Sequence, residues 1–442
     1  MRTSALARLA VMGILLACLM IPLTMVQGVV GERTARRAEA TTDISSIWGG
    51  AQTLGGPVLT VPYRYTSIDQ NGRAKPAVGH AHFLPRLLEI GGSVDPEIRR
   101  RSLFEVVVFR SRLSVKGRFE PPDFTGLRPA PDQIQWDGAT LSLGVADPKG
   151  ISRGITLSVN GTEQPFAPGV EPVGLFASGV RAPVTGLSAT SGPLEYALAV
   201  ELNGTRQLRF MPGGDETTVA LASTWPHPSF AGAPLPLSRE VRAGGFTATW
   251  RAPFFGRGYP PKWSSSEMNA DRLKALGEDS AFGVILLKPV DIYQQAARAV
   301  KYGALFIVMT FVIAFLWEIV RGSLLHPIQY LFVGFAMCVF YLLLLSLSEH
   351  VGFDRAYLAA ATATVALLSW YWSRIVGGVR HGASMAVALI GIYGYLYLLL
   401  RLEDYALLAG SIGLFAMLAA VMYLTRRVNW YDLRLGTGER PG

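Results

Sequence analysis

Three short stretches carry the residue types from which a site could be built. Ser346-Leu347-Ser348-Glu349-His350 sets a carboxylate beside an imidazole at the end of an apolar run, a pair able to titrate together near neutrality. The more common work of such groups is to anchor a helix at a membrane interface or to hydrogen-bond between helices. Trp225-Pro226-His227-Pro228-Ser229-Phe230 holds an imidazole and two aromatic rings in a segment whose prolines impose extended geometry. That suits a binding surface, or a stiff strand-to-loop corner packed on a core, and the corner is the favoured reading. In Gly79-His80-Ala81-His82-Phe83 the histidines stand two apart, which on a strand puts both rings on one face, as a metal pair requires. No third ligand stands at a recognisable spacing, so no metal is expected.

The general catalytic signatures are missing. There is no P-loop, dinucleotide-binding glycine pattern, Gly-x-Ser-x-Gly elbow or His-Glu-x-x-His helix. No catalytic residue and no cofactor is therefore assigned, and the chain is expected not to be an enzyme. Trp225, His227, Phe230, Glu349 and His350 remain as candidate contacts to a ligand or partner.

Elements that could position these residues follow from composition. Half of the chain is hydrophobic, 17% is charged and the mean hydropathy is +0.30, more apolar than a soluble domain requires. The apolar residues concentrate in the first thirty or so positions and again after about residue 300. A helix needs roughly 20 apolar residues to cross the bilayer core, where only intrahelical hydrogen bonds satisfy the backbone. Six segments approach this: Leu9 to Val30, Tyr302 to Trp317, Pro327 to Leu347, Ala356 to Trp372, Ala383 to Leu400 and Tyr405 to Leu424. Lys301, Arg355 and Arg374 flank the two shorter ones as snorkelling residues.

The first segment could be a cleaved signal peptide behind Arg2 and Arg8. Its apolar run is longer than a signal core, and the small-x-small triplet Ala38-Glu39-Ala40 lies too far from it, which favours an uncleaved anchor. Short basic loops stay in the cytoplasm. With the amino terminus inside, Arg2, Arg8, Arg321, Arg374, Arg380, Arg426, Arg427 and Arg434 fall on the inner side, against Arg355 and Arg401 in the short outer loops. Both termini are thus expected in the cytoplasm and the middle of the chain outside it.

The expected organisation is an anchor over 1–30, a β-rich periplasmic domain over 31–300, a five-helix membrane domain over 301–425 and a cytoplasmic tail over 426–442. Phe104 to Phe109, Arg112 to Lys116 and Leu198 to Leu202 alternate or are β-branched, and Asn71-Gly72, Asn160-Gly161 and Asn203-Gly204 signal hairpins. The fold class is therefore mixed: a β-rich, sandwich-like domain plus six transmembrane helices. The segments following Val159 and Leu202 read alike, Asn-Gly-Thr-x-Gln then Phe then Pro-Gly, and suggest either an internal β repeat or a chance resemblance of hairpins. Ser265 to Gly277 is a polar helix or loop, Phe282 to Leu287 a last strand, and Ile292 to Lys301 a helical lead into the second membrane segment.

Charge and cysteine usage exclude several classes. Of the net charge of +9, residues 31–300 hold only +4, from 29 basic and 25 acidic residues scattered along a long stretch. So diffuse an excess describes a solvated surface, and no nucleic acid is expected as a partner. Cys18 and Cys338, the only two cysteines, both lie in membrane segments, so the middle region has neither a disulfide nor a cysteine metal site. Glu318, His326, Glu349, His350, Asp354, Glu403 and Asp404 all fall at predicted helix ends or loops. Helix centres with almost no ionisable groups argue against an ion-coupled transporter.

Longer motifs are recognisable. Trp225 to Phe230, Leu325-His326-Pro327-Ile328-Gln329-Tyr330-Leu331, Phe340 to Phe353, Arg298 to Tyr302 and the Pro212-Gly213-Gly214 turn closely resemble the CreD family of bacterial inner-membrane proteins, in the same order over nearly the whole chain. The resemblance implies a Gram-negative inner-membrane protein with a periplasmic domain, expressed under a two-component regulatory pair and linked to envelope integrity and colicin tolerance. It supplies no catalytic residues. Two functions stay open: an envelope component whose β-rich domain binds a periplasmic ligand or envelope protein, or an enzyme or transport component acting on envelope lipid or glycan at the outer membrane interface.

Overall fold

The apolar runs at the two ends of the chain fold into long helices and the Gly- and Pro-punctuated middle into strands. The computed structural model describes residues 5–68, 73–127, 129–266, 268–288, 291–321, 325–402 and 405–426. The Asn71-Gly72 turn, Glu403, Asp404, Arg2 and the tail beyond Arg426 lie outside them. The chain divides into two compact units, Met1–Arg37 with Val290–Gly442, and Ala38–Pro289.

In the second unit the strands are, in chain order, β1 (Gln52–Ile68), β2 (Ala74–Phe83), β3 (Leu87–Arg101), β4 (Phe104–Phe119), β5 (Thr140–Val145), β6 (Thr156–Val159), β7 (Thr162–Pro165) and β8 (Ala167–Pro168). They continue as β9 (Gly179–Pro183), β10 (Leu194–Thr205), β11 (Gln207–Phe210), β12 (Glu216–Ser223), β13 (Pro228–Ala231), β14 (Ser238–Arg242), β15 (Gly245–Pro253), β16 (Lys262–Ser264) and β17 (Phe282–Leu286). One sheet runs β13-β17-β11-β1-β5-β9-β8, with β2 and then β16 branching from β1; the other runs β14-β15-β12-β3-β4-β10-β6-β7. Both are mixed, because β1 pairs parallel with β11 and β3 parallel with β12.

Strict alternation builds the core between the sheets. Along β10, Leu194, Tyr196, Leu198, Val200 and Leu202 are buried while the residues between them face out. They share one apolar cluster with Leu59, Tyr63 and Leu141 of the other sheet and with Val115, Trp250 and Phe282. A second, smaller cluster of Val58, Phe176, Met211, Trp263 and Leu273 lies under a short helix (Ala270–Asp279), which Asn269 caps by accepting from the Arg272 amide at 3.1 Å.

The Asn-Gly resemblance does not describe a repeat. Asn160 and Gly161 have φ of 44° and 85° and turn β6 into β7 as a hairpin. Asn203 and Gly204 instead lie inside β10, paired with Arg110 and Phe109, and the chain turns only at Arg206, with φ of 66°. Gly204 is there for space: a Cβ on it would sit 2.4 Å from the Phe109 ring. The Pro212-Gly213-Gly214 turn is clamped from beneath, with Arg257 Nη1 donating to the Gly213 and Gly214 carbonyls at 3.2 and 2.9 Å and Tyr259 donating to the Pro212 carbonyl at 2.9 Å.

Counting in chain order with that short helix as α2, the helices of the first unit are α1 (Ala5–Trp48, running on beyond the unit), α3 (Ile292–Arg321), α4 (Pro327–Val351), α5 (Phe353–Val376), α6 (Val379–Arg401) and α7 (Ala406–Thr425). Ile292 to Lys301 is continuous with the rest of α3. Five of these helices, α1, α3, α4, α6 and α7, are long and apolar enough to cross a membrane. The sixth expected span forms as α5, but it does not reach that composition. It carries Asp354, Arg355 and Arg374 near its ends and buries small and hydroxyl residues, Ala356, Ala360, Ala361 and Thr364, where it packs with α4 and α6.

Within this unit α1 is a packed member of the bundle. Met12, Leu19, Leu23, Val26 and Val30 form one buried stripe at spacings of three, four and seven, as a helix packed along its length requires. Leu23 fits against Gly303 of α3 and Leu19 against Gly334 of α4, where an added Cβ would fall 2.8 and 2.1 Å from the leucine. Small residues permit such close helix approach where burial from water gives no drive.

Candidate functional site

The end of α4 separates the two residues read as an acid-imidazole pair. Glu349 turns inward, where Tyr293 of α3 donates to it at 3.1 Å and Arg33 of α1 lies at 3.5 Å, while Arg37 pairs with Asp291. His350, one residue on and about 100° further round the helix, is exposed. The carboxylate and imidazole therefore do not form one unit, and Glu349 joins α1, α3 and α4.

A matching cluster stands at the other end of α1. Glu318 of α3 is 3% exposed; it pairs with Arg8 and accepts from the Tyr330 hydroxyl of α4 at 2.8 Å. Arg8 and Arg33 are separated by about 38 Å of helix, somewhat more than the ~30 Å hydrocarbon core. Both clusters use an arginine of α1, a glutamate and a tyrosine. Sequence reasoning placed Glu318 at a helix end but missed its burial; the signal was Arg8, a charge at the comparable depth of the first apolar segment. The neighbouring His326-Pro327-Ile328-Gln329 motif is the start of α4, with His326 accepting from the Ile328 amide and Gln329 from the His326 amide at 3.3 and 3.0 Å.

In the β-rich unit, Trp225 to Phe230 forms a corner leading into β13. Trp225 Nε1 donates to the Leu287 carbonyl at 2.9 Å, the His227 carbonyl accepts from the Leu287 amide at 3.2 Å, and Phe230 packs edge-on against Phe246 and Trp250. The rings thus close β13 onto β17 and cover the core.

His80 and His82 do share a face of β2, with rings near parallel and centroids 6.3 Å apart. His82 is fully buried against Trp263, and its Nδ1 lies 3.0 Å from Thr60 Oγ1. Burial, reinforced by His80, pushes its pKa down to about 3. His80 lies 3.8 Å from Glu171. Among the described residues no group of three potential ligands converges to hold a metal.

Sequence reasoning missed a charged cleft on the eight-stranded sheet. It encloses about 530 Å³ between Trp48, the last residue of α1, and β3, β4 and β10. Trp48 is fixed by its Nε1 hydrogen bond to the Phe109 carbonyl at 3.3 Å, with the Arg99 and Arg110 guanidiniums 3.6 and 5.3 Å from its ring centre. Arg112 pairs with Asp95 at 2.7 Å and Arg153 with Glu201 at 3.3 Å, whereas Arg110 has no acidic partner among the described residues. The signal in the sequence was the alternation of Arg110, Arg112, Lys116 and Arg118 along one strand, which a count of net charge averages away.

Long apolar helices bound by interfacial charge clusters, together with a two-sheet unit bearing a polar cleft, define an integral membrane protein with a substantial non-membrane part. The chain belongs to the CreD family: the family model described as "Inner membrane protein CreD" matches residues 4–431. The Inner membrane protein CreD of Escherichia coli (strain K12) is 32% identical over 428 residues, covering 94% of this chain and 92% of that protein. Among solved structures, an M1 zinc metallopeptidase from Deinococcus radiodurans aligns with 81% of this chain and 97% of its own at 13% identity, with a TM-score of 0.19, too loose to speak for a common fold.

Proposed function

We propose that this protein is a non-enzymatic component of the cell envelope, anchored in the inner membrane with both termini in the cytoplasm, whose periplasmic β-rich unit binds a charged ligand or partner. The observation that carries the proposal is the cleft beside Trp48. Three arginines and three carboxylates, Asp95, Glu97 and Glu201, converge there around a fixed indole. Such a lining offers orienting polar contacts to a ligand bearing both charge and hydrogen-bonding groups, as fragments of envelope glycan or of an envelope protein do. The excess of Lys and Arg in the loops on one side of the helices supports the orientation.

The test is site-specific photocrosslinking in growing cells, with the reactive side chain at Arg112 or Arg153 in the cleft and at Lys274 as a remote control. A discrete adduct at the cleft positions, weakened by Arg110→Gln at equal protein level, is expected. Adducts equal at all three positions, or none at the cleft, would refute the reading.

A further inference from the structure

We propose that the groove between α5 and α6 is a binding site for one phospholipid of net negative charge, its phosphate at Arg355 and an acyl chain along the helix seam. The groove encloses about 760 Å³. Its walls are apolar over most of their length, with Leu358, Val365 and Ala366 on α5 and Ala386, Ile390 and Gly394 on α6. An added Cβ at Gly394 would meet nothing within 4 Å, so the missing side chain leaves open space instead of a tight helix contact.

All the charge lies at one end. Asp354 accepts from the Tyr397 hydroxyl at 3.0 Å, and Arg401 stands 3.9 Å from its other oxygen and 5.7 Å from the Tyr397 ring centre. Among the described residues, with Asp354 balanced by Arg401, Arg355 has no acidic partner and leaves the mouth a surplus positive charge. Arg355 also stands in the first turn of α5, where the helix dipole favours an anion. From Asp354 to Ser369, the groove follows about 22 Å of α5, more than the ~15 Å half-thickness of the hydrocarbon core. At its far end, Ser369 Oγ is buried without a hydrogen-bond partner.

A positive mouth above an apolar channel of this length complements an amphiphile with an anionic head. Because the described residues of the mouth carry one positive charge in excess, the head should be anionic overall. Phosphatidylglycerol meets this, with hydroxyls to donate to Asp354; phosphatidylethanolamine, whose head is neutral overall, does not. The site would also account for a helix that is insufficiently apolar by composition standing among five that are not.

Native mass spectrometry of the full-length protein, released from detergent after incubation with phosphatidylglycerol or phosphatidylethanolamine, tests this. The wild type should retain one phosphatidylglycerol at roughly tenfold lower lipid concentration than phosphatidylethanolamine, a difference of about 1.4 kcal/mol. Arg355→Gln should abolish the preference. Ile390→Trp, which fills the groove from an exposed position, should reduce retention of both lipids; His350→Ala, outside the groove, should change neither. Equal retention of the two lipids, a preference that survives Arg355→Gln, or retention unaffected by Ile390→Trp would each overturn the proposal and leave only ordinary annular lipid.

Discussion

Breaking the Arg8-Glu318-Tyr330 cluster should cost far more than two surface charges are worth. Glu318 is 3% exposed and the Arg8 side chain 17%, so neither ion can recover its hydration when the other is removed. Removing one member of a buried pair typically costs about 3 to 5 kcal/mol, most of it the penalty of the charge left behind. Glu318→Gln keeps an acceptor for the Tyr330 hydroxyl and takes the carboxylate charge away from Arg8, so its cost should lie near the lower bound, about 3 kcal/mol. Arg8→Gln strands the carboxylate with one hydroxyl donor and should cost a similar amount. The double variant leaves two neutral amides able to bond each other and should lose only about 1 kcal/mol. Non-additivity is therefore the diagnostic, with a coupling of several kcal/mol between residues 310 apart in sequence. It can be read from denaturant unfolding of the full-length protein in mixed micelles, followed by tryptophan fluorescence. Additivity to within about 0.5 kcal/mol would refute the claim that this cluster holds α1 in the bundle.

Three further expectations follow from local geometry. The pKa of His82 is about 3 folded against 6.5 when unperturbed, so below pH 6.5 the unfolded state takes up a proton that the folded state refuses, and stability falls with pH; at pH 5 the loss is about 2 kcal/mol. Thermal unfolding of the full chain between pH 7 and 5 should show this slope in the wild type and a shallower one in His82→Gln; parallel slopes would count against it. Glu349→Gln should lower the unfolding midpoint, since it strips Arg33 and Tyr293 of their carboxylate, while exposed His350→Ala should leave it unchanged; the reverse ranking would contradict the separation of the two residues. Gly204→Ala should destabilise by more than about 2 kcal/mol, because the Cβ meets the Phe109 ring, whereas Gly161→Ala meets no atom and bears only left-handed backbone strain of about 1 to 2 kcal/mol. Equal midpoints for the two alanine variants would undo the distinction between strand and turn.

The membrane half was legible because its physics is one-dimensional: apolar length located all six long helices, although α5 falls short of the composition the other five reach. In the β-rich half, β-branched alternation located parts of β4 and β10, but not that Phe104 to Phe119 is a single strand. It also could not supply the parallel pairing of β1 with β11, which joins residues more than 150 apart. Asn203-Gly204 misled because a glycine needed to clear Phe109 reads the same as one needed for a turn. The sites were harder still. Glu318 and Arg8, like Trp48 and Arg110, meet only in the folded chain, and each alone resembles an ordinary interfacial or surface residue.

Ligand binding by the β-rich unit would be centred on the Trp48 cleft. The most direct measurement is the comparison of photocrosslinks from Arg112 and Arg153 with those from Lys274 in living cells, with and without Arg110→Gln. One discrete adduct confined to the cleft and diminished by the Arg110 change is expected. Adducts indifferent to position or to Arg110 would contradict it.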